Sequence, residues 1–338
     1  MAGSGLFSER PQLFMYTGRT ASLPSLRHTP PLAPPARPTR KPSRQQVYPT
    51  PLPFLKPRPQ TPAQGVVYWT SVVGFRNGEE KHENQDAFFH MCEEDCRLIG
   101  VCDGHGVHGK SVAACLSSKL SALFYSYSKA GNSAESALCQ AYHETNRQLG
   151  LSGLDCRKSG STCTAVVLQG KSLICSNVGN SRAVLGRCSH GVWSVFQLSW
   201  DHTPEDPEER ARIQAAGGEV VVSKTCNAGP MRVYMKGRVF PGLAMTRALG
   251  DWEAAPAGII CTPDLEAVQL TPRDRFLLLA TDGLWAVMSS FEAVHRVAVG
   301  LSQPELLCGL LVAEAQRRWR LRGSLVDDIT VVIACLRP

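Results

Sequence analysis

The chain has 338 residues, 43% of them hydrophobic, enough to bury one large core or two small ones. Its net charge of +7 is unevenly spread. Residues 1–65 carry nine Lys or Arg against one acid, so residues 66–338 are close to neutral and give no argument for nucleic-acid binding. No stretch approaches about 18 uninterrupted apolar residues, which excludes a helical membrane span.

In chain order, the first 65 residues hold 14 of the 23 prolines. Runs such as "PPLAPPARPTRKPSRQQ" cannot build helices or sheet ladders, so residues 1–65 are expected to be a disordered basic tail. Two functional readings of it stay open. One is an organelle transit segment, because the tail is rich in Arg, Ser and Thr and nearly free of acids. The other is a docking segment of polyproline character. Residues 66–338 are expected to form the folded domain. No secretory leader is visible at Met1, and thirteen scattered cysteines lack zinc-site spacing, which points to a reducing, intracellular setting.

From Val66 the texture changes. "VVYWTSVVGF", "DAFFHM" and "RLIGVC" read as strands, and 109–127 and 133–150 carry helical apolar spacing. "TCTAVVL", "SLICSNVG", "SRAVLGRC" and "VWSVFQLS" read as an antiparallel meander with turns at Gly170-Lys171 and Gly179-Asn180. "PEDPEERARIQAAGG" predicts a short helix, with prolines at its start and glycines at its end. Residues 223–245 read as a flap or loop. "RFLLLA" is a buried strand, helices are expected at about 290–299 and 304–322, and "DITVVIACL" is a final strand. Meandering strands with paired helices argue for an α+β fold with antiparallel sheets, not a wound βαβ sheet.

"LIGVCDG" and "LLLATDG" each end an apolar strand on an aspartate, Asp103 and Asp282. Asp86 and Asp327 begin two other strands. Any one of these aspartates is equally a turn or cap residue. Four in matching contexts, gathered at one edge of a sheet assembly, would repel one another unless a hard divalent cation met their oxygens.

The ordered blocks "ENQDAFF", "VCDGHGVHG", "GSTCTAVVL", "SNVGNSRAVL", "DHTPEDPEERARIQAAGG", "LAMTRALGDW", "LLATDGLWAVMS" and "DDITVVI" together resemble the metal-dependent protein serine/threonine phosphatases of type 2C, with a plant-like "NQDA" spelling. The resemblance covers about 66–338. It implies a four-layer α/β/β/α sandwich: two antiparallel sheets face to face, with helices outside. It also implies two Mg²⁺ or Mn²⁺ ions and phosphorylated protein substrates. A hydroxide bridging the two ions would attack phosphoserine or phosphothreonine in line. By position Asp103 would bridge the ions, with Asp282, Asp327 and the Gly104 carbonyl as further ligands. Asp86 would orient metal-bound water, Lys81 would contact the substrate phosphate and His105 would protonate the leaving group. On the residues alone, His105 is also a turn histidine satisfied by backbone, and Lys81 a solvated loop lysine in "GEEKHE".

Three positions depart from the family pattern: Gln85, Asn180 and Ala286 are neutral where acids are usual. The last two put a third ion in doubt. The alternative function is therefore a catalytically weak pseudophosphatase acting as a regulatory binding module. "ARIQAAGG" and "AMTRALGDW" read as structural supports, with Arg247 and Asp251 as a candidate buried pair. A monomer is expected, in cytoplasm or nucleus, with an organelle as the alternative if the tail is a transit segment.

Overall fold

The computed structural model describes residues 66–77, 79–81, 83–223, 229–323 and 325–336; the expected tail, residues 1–65, lies outside them. Two antiparallel sheets carry the architecture. The larger has seven strands. Its centre is Cys96–His105, flanked by Asp86–Glu93 on one side and by Cys163–Gln169, Ser172–Val178 and Asp264–Gln269 on the other; the two-residue strands Gly160–Ser161 and Leu249–Gly250 extend one end. The second sheet has five strands in the order Val67–Val72, Ile329–Cys335, Asp274–Ala280, Arg182–Ser189, Val192–Gln197.

The apolar runs are nearly continuous because each sheet is buried on both faces. Successive side chains point to opposite sides of a strand. Leu98 and Cys102 therefore face the helices, while Ile99 and Val101 meet Leu185, Leu277, Leu279 and Val332 of the other sheet. Helices α1 (Gly109–Lys129) and α2 (Ala134–Leu151) cover the outer face of the larger sheet through Val112, Leu116, Leu120, Leu138 and Tyr142. The short α3 (Pro207–Ala215) starts where the sequence placed it: Asp206 caps it by accepting from the amides of Glu208 and Glu209, and Pro207 opens its first turn. Helices α4 (Asp282–Trp285), α5 (Ser290–Gly300) and α6 (Pro304–Arg322) cover the five-stranded sheet through Leu284, Val294, Val297, Leu307 and Leu311. Each such apolar side chain contributes about 1.5–3 kcal/mol when fully buried. The result is the α/β/β/α layering expected above. No helix among the described residues is long and apolar enough to cross a membrane, and the twelve described cysteines are all free.

Two expectations need correction. The four-strand meander is broken: Ser172–Val178 belongs to the larger sheet and Arg182–Ser189 to the smaller. The connection is tight. Gly179 has φ 102°, and a Cβ there would lie 2.5 Å from Thr162 Cγ2. This turn redirects the chain across the sandwich instead of letting the strand hairpin back. The flap expected at 223–245, of which 224–228 lie outside the described residues, contains two short strands. Met231–Met235 pairs with Gly218–Val222 and with Pro241–Leu243. Its apolar side, with Val233, packs on Ile213 and on the short 3₁₀ helix Trp252–Ala257.

The pair of strands that bears Asp86 and Asp103 depends on one void. Phe89 lies opposite Gly100, and a Cβ on Gly100 would sit 2.2 Å from the ring. Gly100→Ala is expected to cost about 1–3 kcal/mol through overpacking. Urea denaturation checks this, and a midpoint equal to the parent's would contradict it.

Candidate metal centre

Four carboxylates arrive at one end of the sandwich from both sheets. Asp103 and Asp86 are register partners on adjacent antiparallel strands of the larger sheet. Asp282 opens α4 two residues after strand Asp274–Ala280, and Asp327 lies two residues before its sheet neighbour Ile329–Cys335. Thr281 joins the two sheets at this point: its hydroxyl donates to Asp86 Oδ2 at 2.8 Å and accepts from the Thr330 amide at 3.0 Å. Asp328 is fastened from the opposite side by the amides of Gly74 (2.7 Å) and Gln85 (3.0 Å). Gly104 can only be glycine, since a Cβ would lie 2.3 Å from the Gly109 carbonyl oxygen.

This crowding shows in the proton affinities. Burial and the charges of Asp282, Asp86 and Asp327 push Asp103 well above the usual carboxylate range. Burial and Asp327 raise Asp282 to about 6. Burial also raises Asp86, against the hydrogen bonds from Thr330 and Thr281. Asp103 and Asp282 each lie close enough to perturb the other's proton affinity. Among the described residues no three acidic, His or Cys side chains close on a single point; the carboxyl groups are instead held by Lys81, Thr281 and Asn180. The donor set is all oxygen, as hard divalent cations require. Asp86 Oδ1 and Asn180 Oδ1 are enclosed without a hydrogen-bond partner. Both features fit a divalent cation.

The remaining site candidates are placed as follows. Lys81 Nζ lies 2.8 Å from Asp327 Oδ1 and 3.4 Å from Asp328 Oδ1, and this pairing outweighs the burial that would lower its pKa. It is therefore not a freely solvated loop lysine. Asn180 Nδ2 donates to Asp282 Oδ2 at 2.8 Å. Gln85 turns its amide toward the Gly106 carbonyl (2.8 Å), and Ala286 is exposed at the end of α4. His105 is not a turn histidine satisfied by backbone: its Nε2 lies 2.5 Å from Asp251 Oδ2. Although burial alone would lower the His105 pKa, Asp251 raises it on balance.

Arg247 does not pair with Asp251. Its guanidinium spans Glu209 (2.7 Å) and Asp264 (2.6 Å), and Arg212 bonds the same Glu209. Burial would raise Glu209, but these guanidinium groups hold it at about 2. Sequence reasoning thus gave Asp251 the wrong partner and missed Thr281 and the fastening role of Asp328. The signals were present in "ALGDW", "ATDG" and "DD".

Comparison with known proteins gives a consistent result. The family model described as protein phosphatase 2C matches residues 71–320. The chain is 34% identical over 258 residues to the Arabidopsis thaliana "Probable protein phosphatase 2C 72", covering 72% of this chain and 77% of that protein. It is 36% identical over 296 residues to the rice (Oryza sativa subsp. japonica) "Probable protein phosphatase 2C 48", covering 78% and 82% respectively. The fold matches the crystal structure of a serine-threonine phosphatase 2C from Toxoplasma gondii with a TM-score of 0.69 at 21% identity, covering 83% of this chain and 98% of that one.

The carboxyl cluster has a pH signature. A carboxyl whose pKa is raised by folding supports the folded state below its unfolded value, near 3.9, and this support is lost as pH rises through the folded value. For Asp282 the folded value is about 6. With chelator present, the melting temperature is expected to fall between pH 5 and pH 8, and Mn²⁺ is expected to raise it more at pH 8 than at pH 5. Differential scanning fluorimetry checks this; an equal Mn²⁺ increment at both pH values would contradict it.

Proposed function

The chain belongs to the protein phosphatase 2C family and is a protein serine/threonine phosphatase; on that premise we propose that it hydrolyses phosphoserine and phosphothreonine with two divalent cations, Mg²⁺ or Mn²⁺. Asp103, Asp282 and Asp327 would hold them, with the Gly104 carbonyl and Asp86 alongside. The observation that carries this reading is the half-buried, mutually repelling group Asp86, Asp103 and Asp282, whose proton affinities are raised by loss of solvent and by their neighbours' charge. When bound, the ions would supply a water of lowered pKa and offset the phosphate's charge.

The chain's own residues do the rest. Asp86 has one oxygen fixed by Thr281 and one without a protein partner, which suits it to orient a water. Lys81 presents a point charge to the substrate phosphate, its position set by Asp327 and Asp328. His105 supplies a proton to the departing Ser or Thr oxygen. A third ion finds a neutral amide at Asn180 and no carboxylate at Ala286, so two ions are the complement we assign. The same neutral positions favour the second reading, a weakly active regulatory module. The domain boundary near residue 66, a monomeric state, and residence in cytoplasm or nucleus complete the proposal, with an organelle as the alternative. A reporter fused to residues 1–65 decides the last point: import into an organelle would overturn the cytoplasmic or nuclear assignment.

Turnover of a phosphothreonine peptide is expected with Mn²⁺ and is expected to vanish with chelator. Asp282→Asn is expected to lower the rate at least about 100-fold, the scale of losing a preorganised charge stabiliser. The variant's melting temperature in chelator should be no lower than the parent's. A parent protein that binds phosphopeptide without turning it over, with Mg²⁺ or Mn²⁺ present, would select the regulatory module.

A further inference from the structure

Three blocks that are distant in the sequence, "DGHG", "GSTC" and "ALGDW", meet around a single carboxylate. Asp251 is 3% exposed, and its Oδ2 lies 2.5 Å from His105 Nε2. Its backbone is left-handed, φ 50° and ψ 39°, a region a non-glycine residue rarely occupies. Its amide donates to the Ser159 carbonyl at 3.0 Å, and the amide of neighbouring Gly250 donates to Asn146 Oδ1 at 2.8 Å. Gly160 gives the carboxylate room: a Cβ there would lie 2.2 Å from Asp251 Oδ2. The strand pairing of Gly160 with His105 brings this clearance beside the histidine. The second ring nitrogen, Nδ1, is enclosed and has no hydrogen-bond partner. Strained backbone at a buried acid, room cleared for it, and an unpartnered nitrogen across the ring are features that packing alone does not call for.

We propose that Asp251 is a positioning residue for the phosphatase reaction. It fixes the ring of His105 with Nε2–H on the carboxylate, so that Nδ1 serves the substrate, and Gly160 is the glycine that makes this possible. The proposal rests on the phosphatase reading and deepens it. In the reaction a water oxygen forms a bond to phosphorus and releases a proton to solvent, as the bond from phosphorus to the serine or threonine oxygen breaks. Its electron pair leaves with that oxygen, the Nδ1 proton moves to it, and solvent returns a proton to the ring afterwards. Nε2–H stays on Asp251 throughout. A leaving group that needs no proton should therefore depend far less on Asp251 than an alkoxide does.

The full chain with Mn²⁺ is assayed on a phosphothreonine peptide and on 4-nitrophenyl phosphate. For Asp251→Asn the ratio of kcat/KM on the peptide to that on the aryl phosphate is expected to fall about 30-fold or more, within the range for a misplaced general acid. Asp251→Asn added to His105→Ala is expected to change the peptide rate less than about twofold, since residues acting as a unit are not additive. In chelator, ¹⁵N shifts of the His105 ring should show Nε2 protonated in the parent and lose that preference in Asp251→Asn. Equal losses on both substrates, additive losses in the double variant, or a parent ring protonated only at Nδ1 would each overturn the proposal. If Asp251→Asn does not fold, Gly160→Ala is read instead: a lowered ratio supports the proposal and an unchanged ratio overturns it. A parent inactive on both substrates contradicts the phosphatase reading itself, and the ¹⁵N pattern then decides the orientation of the ring by itself.

Discussion

Like charge concentrated at one end of a two-sheet core is the constraint on which the rest depends. Asp103 lies near the end of a strand of the larger sheet and Asp282 follows a strand of the smaller, yet each lies in the other's field, and Asp327 acts on both. Buried carboxylates are tolerated only when protonated, paired or met by cations. The surrounding structure is arranged to hold them in spite of this. Thr281 ties Asp86 to the opposite sheet, Lys81 stands against Asp327 and Asp328, and backbone amides secure Asp328. None of these contacts removes the repulsion at the centre.

The sandwich makes this arrangement possible by being apolar on both faces of both sheets. The strand Cys96–His105 runs between α1 and α2 on one side and the smaller sheet on the other, so its side chains are locked by packing before the chain reaches Asp103. Glycines then bring backbone close where side chains could not fit: Gly100 beneath Phe89, and Gly104 against Gly109. Rigid elements that end together serve a reaction site better than mobile loops do, because small displacements of reacting groups are costly.

Much of this was legible in the sequence. Doubly buried strands announce themselves as apolar runs, and Asp-Gly at their ends marks where carboxylates cluster. Helix boundaries followed from Asp206-Pro207 and from apolar spacing on α1 and α2. What stayed hidden depended on distance or on backbone shape. The change of sheet after Val178 turns on Gly179 meeting Thr162, a contact no local pattern announces. Asp251 lies 146 residues from His105, and its left-handed conformation separates it from the neighbouring Arg247, which is drawn to Glu209 and Asp264. The small sheet around Met231–Met235 read as loop because its strands are short and only one side is apolar.

The neutral residues at the edge of the cluster limit its charge without dispersing it. Asn180 donates to Asp282 where a further carboxylate would add repulsion, and Gln85 is occupied with the Gly106 carbonyl. Such a centre should take up two ions and no more. Diffraction from crystals grown with Mn²⁺, recorded at the manganese absorption edge, tests this most directly. The account predicts two anomalous peaks among Asp103, Asp282 and Asp327. A map with no peak there, or with manganese only at other acids, would contradict it.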